Sequence, residues 1–257
     1  MQADSPLERA IAMVTDLRNR CDWDRVQTRE TIRPYLVEEA HELDAATAAG
    51  DPVAIRDEVA DLMLHLAWQL VFGLELGEFT PDEIADDLVA KMERRHPHLF
   101  AGGPRQDWES LKAAERHDAT RGTPGPAGLL ESVPENLPPL LAAWRIQERA
   151  AAVGFDWPDT AGPAAKVREE LAEVAVALGE PAHQAGIDEE IGDLLFAVIN
   201  LARKAGVPPD GALRAANDKF RRRFGRIESL ARARGIALGD AGLDALDALW
   251  HEVKAGE

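Results

Sequence analysis

Two blocks of acidic residues, built alike, carry the groups most able to do chemistry. Glu38-Glu39-Ala40-His41-Glu42 is followed by Glu58-Val59-Ala60-Asp61, and Glu169-Glu170-Leu171-Ala172-Glu173 is followed by Glu190-Ile191-Gly192-Asp193. Each block reads EExxE, a gap of fifteen or sixteen residues, then ExxD. Residues three apart on a helix share a face, which pairs Glu39 with Glu42, Glu58 with Asp61, Glu170 with Glu173 and Glu190 with Asp193. Two such pairs on neighbouring antiparallel helices bring four carboxylates to one point. Carboxylates crowded in this way repel one another unless a cation lies between them. Oxygen-only ligation suits Mg²⁺ or Mn²⁺ rather than zinc, which prefers nitrogen and sulfur. A lone EExxE reads as a solvated helix face; its duplication together with ExxD argues for a divalent-metal site.

Charge then points to the substrate. The five acids of the second block give a charge of about −5, and two divalent ions bring it to about −1. A triphosphate adds roughly −4 more, so further cations are required. Lys219, Arg222 and Arg223 follow the second block as KxxRR, matching Lys91, Arg94 and Arg95 after the first, and arginine grips phosphate oxygens in bidentate fashion. Neither a GxxxxGK[ST] loop nor a GxGxxG fingerprint occurs, so a nucleotide site here must be built from helices and side chains. Other constellations are weaker. A ferritin-like di-iron site needs ExxH on two helices, and only Glu38 to His41 offers one. Cys21 has no metal-spaced partner and reads as a packing residue, and His96-Pro97-His98 reads as a polar helix terminus.

The elements that must position these groups are helices throughout, with no alternating strand pattern. Helices are expected over about 6–20, 31–49, 52–76 and 80–95, with a further segment over about 107–120. Gly50 stops the second, Asp51-Pro52 supplies an N-cap and a first-turn proline for the third, and Thr80-Pro81-Asp82-Glu83 opens the fourth with a capping box. Residues 121–139 hold five prolines and three glycines in nineteen positions, a density that defeats regular helix and marks a linker. The plan then repeats over about 140–153, 163–178, 188–205 and 209–234, with a last short helix near 243–253. Asp22-Trp23-Asp24 and Asp156-Trp157-Pro158-Asp159 precede the two acid blocks, so three features recur in the same order at an offset of about 130 residues, an internal duplication. The helix carrying Glu58 is apolar nearly all round from Leu62 to Phe72, which predicts that neighbours enclose it. Glu58, Asp61, His65 and Trp68 fall on one stripe, as do Glu190, Asp193, Ala197 and Asn200, carrying the acids toward the bundle interior.

The whole chain of 257 residues is long enough for two small domains with real cores. Apolar residues make up 46 % and charged residues 29 %, as in soluble globular proteins. A net charge of −17 argues against nucleic-acid binding, which depends on neutralising phosphates with Lys and Arg. One cysteine permits no internal disulfide, the first twenty residues do not read as a signal peptide, and the apolar run 62–76 is too short to span a bilayer. A cytoplasmic protein with no membrane partner is the simplest reading.

These motifs together resemble the MazG nucleoside triphosphate pyrophosphohydrolases. The resemblance rests on EExxE…ExxD on paired helices, CDWDRVQT (21–28) and KMERRHPHLF (91–100) in the first half. RIQERAAAVGFDWPD (145–159), EEIGDLLFAVINLAR (189–203), ANDKFRRRF (216–224) and LWHEVK (249–254) carry it in the second. It covers nearly the whole chain and implies an all-α fold of two tandem helical-bundle domains, 1–120 and 140–257, joined by the linker 121–139 and completed by homodimerisation. The activity it implies is Mg²⁺-dependent hydrolysis of a nucleoside triphosphate to the monophosphate and pyrophosphate, with Mn²⁺ a possible substitute. A narrower dUTPase- or dCTPase-like activity, or a helical interaction module without catalysis, are the alternatives.

By motif matching, the resemblance makes Glu170, Glu173, Glu190 and Asp193 the metal ligands and Glu169 the residue that orients or deprotonates the attacking water. Lys166, Lys219, Arg222 and Arg223 contact the phosphates, and Trp250 and Lys254 match the family's nucleotide-binding tail. Glu39, Glu42, Glu58 and Asp61 form a possible second metal site. Tyr35 stands where Lys166 stands in the other copy, and the Trp250 tail belongs to the second half alone, so the second half is expected to hold the main site. Gly186-Ile187-Asp188 stands where related sequences often carry a basic residue, which implies a weaker phosphate grip there.

Overall fold

The computed structural model describes residues 5–103, 128–131, 133–179 and 184–257. The expected helix over 107–120, and residues 121–127 and 132 of the expected linker, lie outside the described residues. Internal contacts divide the chain into two compact units, Met1–Arg105 and Gln106–Glu257. The first holds α1 (Pro6–Arg20), α2 (Asp22–Arg25), α3 (Arg29–Ala49), α4 (Pro52–Leu76), α5 (Pro81–Arg95) and α6 (Pro97–Phe100). The second holds α7 (Pro139–Ala152), α8 (Ala161–Gly179), α9 (Gln184–Lys204), α10 (Pro209–Ala233) and α11 (Gly242–Ala255). Among the described residues there is no strand, and the all-α expectation is borne out.

Local signals set the helix ends. Asp51 Oδ1 accepts from the backbone N–H of Val53 at 2.9 Å and of Ala54 at 3.3 Å, opening α4 just ahead of Pro52. Thr80 and Glu83 form a reciprocal capping box at the start of α5, as Ser5 and Glu8 do for α1. Gly50 takes a left-handed conformation, φ 69°, which a residue with a Cβ adopts only at a cost, and so turns the chain from α3 into α4. The four-residue helices α2 and α6 were not expected, because one turn is too short to show a 3.6-residue period.

In the first unit α4 is the hub, packed along α3 and α1. Val14, Ile32, Ala67, Trp68, Val71 and Phe72 form its core. By length and composition alone α4 is apolar enough to cross a membrane, but its buried residues, among them His65, Ala67, Trp68, Val71 and Phe72, face the interior of this bundle. The expected enclosure of α4 is met on one side only. Val59, Met63 and Leu66, spaced along another face, are 49, 38 and 57 % exposed, since α1 and α3 together cover only part of the cylinder. Amphipathic α5 buries no residue and packs chiefly on α6, leaving Ile84, Leu88 and Val89 exposed.

In the second unit α8 and α9 pack along each other, and α7 lies against α9 and α10. Helices α10 and α11 close a separate small core of Ile227, Ala231, Leu249 and Val253. The carboxylates sit on the α8–α9 pair, and the basic residues sit on α10.

Candidate active site

Only Gly50 and Asp51 separate α3 from α4, so the two helices run antiparallel and their acids face one another. Carboxylate oxygens of Glu39, Glu58 and Asp61 lie within 4.8 Å of one another. Burial, then the charges of Asp61, Glu42 and Glu58, push the Glu39 carboxyl above its ordinary range. Glu58 is raised likewise, by burial and then by Glu42 and Asp61. Three acids of the first half therefore meet across the helix pair, and Glu42 lies near enough to raise both Glu39 and Glu58. Beside it, buried His65 puts Nε2 3.9 Å from Glu39 Oε1, while its Nδ1 has no hydrogen-bond partner. Burial pushes this imidazole toward its neutral form against the pull of Asp61, so the contact is not an ion pair at neutral pH.

The second cluster is equally tight and differently balanced. Carboxylate oxygens of Glu170, Glu190 and Asp193 come within 4.8 Å of one another, as do those of Glu169, Glu170 and Glu173. Glu170 is only 4 % exposed. Lys166, one turn earlier on α8, places Nζ 2.5 Å from Glu170 Oε1 and 2.8 Å from Glu169 Oε1. These two carboxylates raise the Lys166 pKa, keeping it charged. Lys166 in turn lowers Glu170, while the hydrogen bond to Glu170 and then burial raise Glu173. The crowded carboxylates of Glu170 and Glu173 thus repel one another beside a single ammonium group. A divalent ion among these oxygens would relieve that repulsion, and the all-oxygen donor set fits a hard cation. In the first half the residue matching Lys166 is Tyr35, whose ring meets Trp23 edge-on at 6.4 Å and brings no charge to the acids.

The phosphate-binding candidates fall into a second group. Lys219 and Arg222 are exposed on α10, and Lys254 is exposed on α11. Arg223 pairs with Glu257, Nη2 to Oε2 at 2.5 Å, and its guanidinium lies 5.5 Å from the Trp250 ring. Phe220 packs on the same indole at 5.5 Å. Lys166 is held by the acid cluster and Arg223 by a carboxylate of α11's tail, so two of the expected phosphate cations already have anionic partners. The His96 and His98 rings lie tilted with centres 5.9 Å apart, and His96 Nδ1 is 2.7 Å from the Met92 carbonyl, a helix-terminus arrangement.

The family model of the MazG nucleotide pyrophosphohydrolase domain matches this chain twice, over residues 27–100 and 163–226. The chain is 37 % identical over 263 residues to the nucleoside triphosphate pyrophosphohydrolase of Escherichia coli strain K12, covering 98 % of both chains. The nucleoside triphosphate pyrophosphohydrolase/pyrophosphatase MazG of Thermotoga maritima is 36 % identical over 255 residues, 97 % of this chain and 96 % of that one. The chain belongs to the MazG family. A longer Bacillus subtilis protein, uncharacterized YabN, is 38 % identical over 96 % of this chain and 51 % of its own length.

The two MazG matches take in both carboxylate clusters and the basic residues of α10 but stop short of α7, Trp157 and Trp250. Beyond the motif residues, the second unit contains a cavity of about 560 Å³ between α7, the loop 154–157 and α9, which sequence reasoning did not single out. Gln147 is the one buried residue of α7, and its Nε2 donates to the Phe196 carbonyl at 2.8 Å. Asp156 at the rim takes hydrogen bonds from Arg203 Nη2 at 2.5 Å and Lys204 Nζ at 3.0 Å, which hold its pKa down at about 2. Two signals for this cavity were present in the sequence. Asn200 lies on the same stripe of α9 as Glu190 and Asp193, and Gln147 is a polar residue at an inward position of an apolar helix face.

Proposed function

We propose that this MazG protein hydrolyses nucleoside triphosphates to the monophosphate and pyrophosphate, with Mg²⁺ held in the second unit by Glu170, Glu173, Glu190 and Asp193. Mn²⁺ is the expected substitute. The observation that carries this reading is the meeting of Glu170, Glu190 and Asp193 from two helices, with Lys166 beside them, in a chain from a pyrophosphohydrolase family. When bound, the ions polarise the α-phosphoryl oxygen and supply charge for the departing pyrophosphate.

The remaining roles belong to protein side chains. Glu169, held 2.8 Å from Lys166 Nζ and more than half exposed, orients the attacking water and accepts its proton. Lys219 and Arg222 grip the terminal phosphates, and Arg223 joins them by exchanging Glu257 for a phosphate oxygen. Trp250 and Lys254 close the nucleotide end of the site from α11. Glu39, Glu42, Glu58 and Asp61 form a second cation site whose role is secondary, since Tyr35 replaces the lysine. Pyrophosphate release from a panel of nucleoside triphosphates, with and without Mg²⁺, tests the reading. Release from dUTP or dCTP alone narrows it, and no release from any nucleotide overturns it.

We also propose that the two MazG-like domains, 1–120 and 140–257 with 121–139 as linker, work as a cytoplasmic homodimer that binds neither nucleic acid nor membrane. Uncovered apolar faces on α4 (Val59, Met63, Leu66) and α5 (Ile84, Leu88) support a second copy as their cover. Light scattering on Leu66→Glu should show a monomer; an unchanged mass for wild type and variant speaks against this face.

A further inference from the structure

The first-unit acid cluster has a neighbour that its counterpart in the second unit lacks. On α4, His65 stands one turn beyond Asp61, a spacing of four that puts imidazole and carboxylate on one face. On α9 the position one turn beyond Asp193 is Ala197, so there the acids end on a methyl group. The His65 side chain is only 9 % exposed. Its Nδ1 is sealed inside the bundle without a hydrogen-bond partner, so Nε2 is the nitrogen left to bind. Nε2 faces the acids at 3.9 Å from Glu39 Oε1, too far for a hydrogen bond. A buried imidazole beside three carboxylates, bonded to none of them, is a costly arrangement if packing is its only role.

A cation shared among these groups resolves it. Two donors each about 2.1 Å from one ion lie at most about 4.2 Å apart, and Nε2 and Glu39 Oε1 fall inside that limit. Oxygens of Glu39, Glu58 and Asp61 already lie within 4.8 Å of one another. Asp61 is exposed and the two glutamates are half-buried, so their carboxylates can turn inward by the remaining distance. Mg²⁺ favours an all-oxygen shell that keeps several waters, whereas imidazole suits Zn²⁺ and its transition-metal neighbours. We propose that the first unit holds a zinc-class ion on His65 Nε2, Glu39, Glu58 and Asp61, a different metal from the Mg²⁺ of the second unit. The proposal rests on the reading of the first cluster as a cation site and adds which cation it takes. Glu39 comes from α3 and the other three ligands from α4, so the ion pins the two helices together and takes no part in hydrolysis.

Calorimetric titration of the full chain carrying Glu190→Gln, which removes a ligand from the second cluster, tests it without turnover. Zn²⁺ should bind about a hundredfold or more tightly than Mg²⁺. His65→Ala in that background gives the first unit the residue of the second. It should weaken Zn²⁺ by about tenfold or more and Mg²⁺ by less than about twofold. Equal losses for the two ions, or no loss for Zn²⁺, overturn the proposal. A second measurement serves if that variant does not fold. One equivalent of Co²⁺ added to the Glu190→Gln protein should give a far-shifted, slowly exchanging N–H proton in the NMR spectrum, since Nδ1 of the ligated imidazole is sealed from water. Glu39→Gln should abolish that signal. A Co²⁺ spectrum without the signal overturns the proposal, and so does a signal that survives Glu39→Gln, which places the ion on another histidine. Pyrophosphate release is scored separately, with Glu190 intact. A failed zinc preference with release preserved sinks this inference alone, and a zinc site in a protein that releases no pyrophosphate sinks the enzyme reading alone.

Discussion

The two halves carry the same four carboxylates and differ in everything packed beside them. In the first, the inward residue of α1 is Val14, and the stripe beyond Asp61 is closed by buried His65 and Trp68. Arg18 seals it, lying 5.3 Å from the Trp68 ring and 4.9 Å from Phe72, with Nε and Nη2 on Glu75 at 2.6 and 2.8 Å. In the second, the inward residue of α7 is Gln147, and Ala197 and Asn200 stand where His65 and Trp68 would be. The space filled by an indole in one half is open in the other, and the tyrosine of one half is a charged lysine in the other. Duplicated ligands do not make duplicated sites: a metal cluster needs a neighbouring space for the substrate and cations for its phosphates. The first half fills this space with packed side chains, and the second leaves a cavity there.

The comparison can be broken at several points. The largest effect is expected from Glu190→Gln, which should lower pyrophosphate release by about a thousandfold, near 4 kcal/mol of barrier. Glu58→Gln should lower it by less than about threefold, and the reverse ranking would move the active site to the first half. Next is Trp68→Ala, which empties the packed half and should cost about 3–5 kcal/mol in urea unfolding while second-half turnover persists. A cost below about 1 kcal/mol would mean that the indole is not the keystone of that core.

A smaller effect is expected from Asp156→Asn at the cavity rim. The folded-state pKa of Asp156 is about 2, below the ordinary 3.8, so its ion pairs with Arg203 and Lys204 stabilise the fold above about pH 4. That contribution is lost as pH falls through 2. Allowing for solvent screening at this exposed rim, the variant should be less stable by about 1 kcal/mol at pH 7, with the gap to wild type closing between pH 4 and 2. A gap that persists at pH 2 would rule out a charge effect. The smallest change is expected from Tyr35→Lys, which gives the first cluster the cation it lacks. It should shift the first unit's melting temperature by a few degrees and leave turnover unmoved. A rise in turnover of the Glu190→Gln protein carrying this change would show that one lysine separates the two halves.

Much of the molecule was legible in the chain. Helix limits follow from residues that act locally: Ser5, Asp51 and Thr80 cap their helices, and Gly50 turns left-handed where the sequence indicates a stop. The carboxylate pairs were legible for the same reason, since a spacing of three fixes a shared helix face without reference to anything else. The four-residue helices were not, and neither was the half-exposed state of α4, because apolar residues record that a face needs cover without recording what supplies it.

Sequence by itself determined an all-helical chain, a duplicated acid motif, its family and the residues that meet across each helix pair. Tertiary structure decided what that motif faces. Whether an inward position meets an indole or an open space depends on side chains from helices far apart in the chain, such as Gln147 on α7 and Phe196 on α9. No local spacing encodes that meeting. Packing across helices left Gln147 Oε1 buried without a partner, whereas the Lys166 clamp on Glu170 joins residues one turn apart on α8 and follows from local spacing.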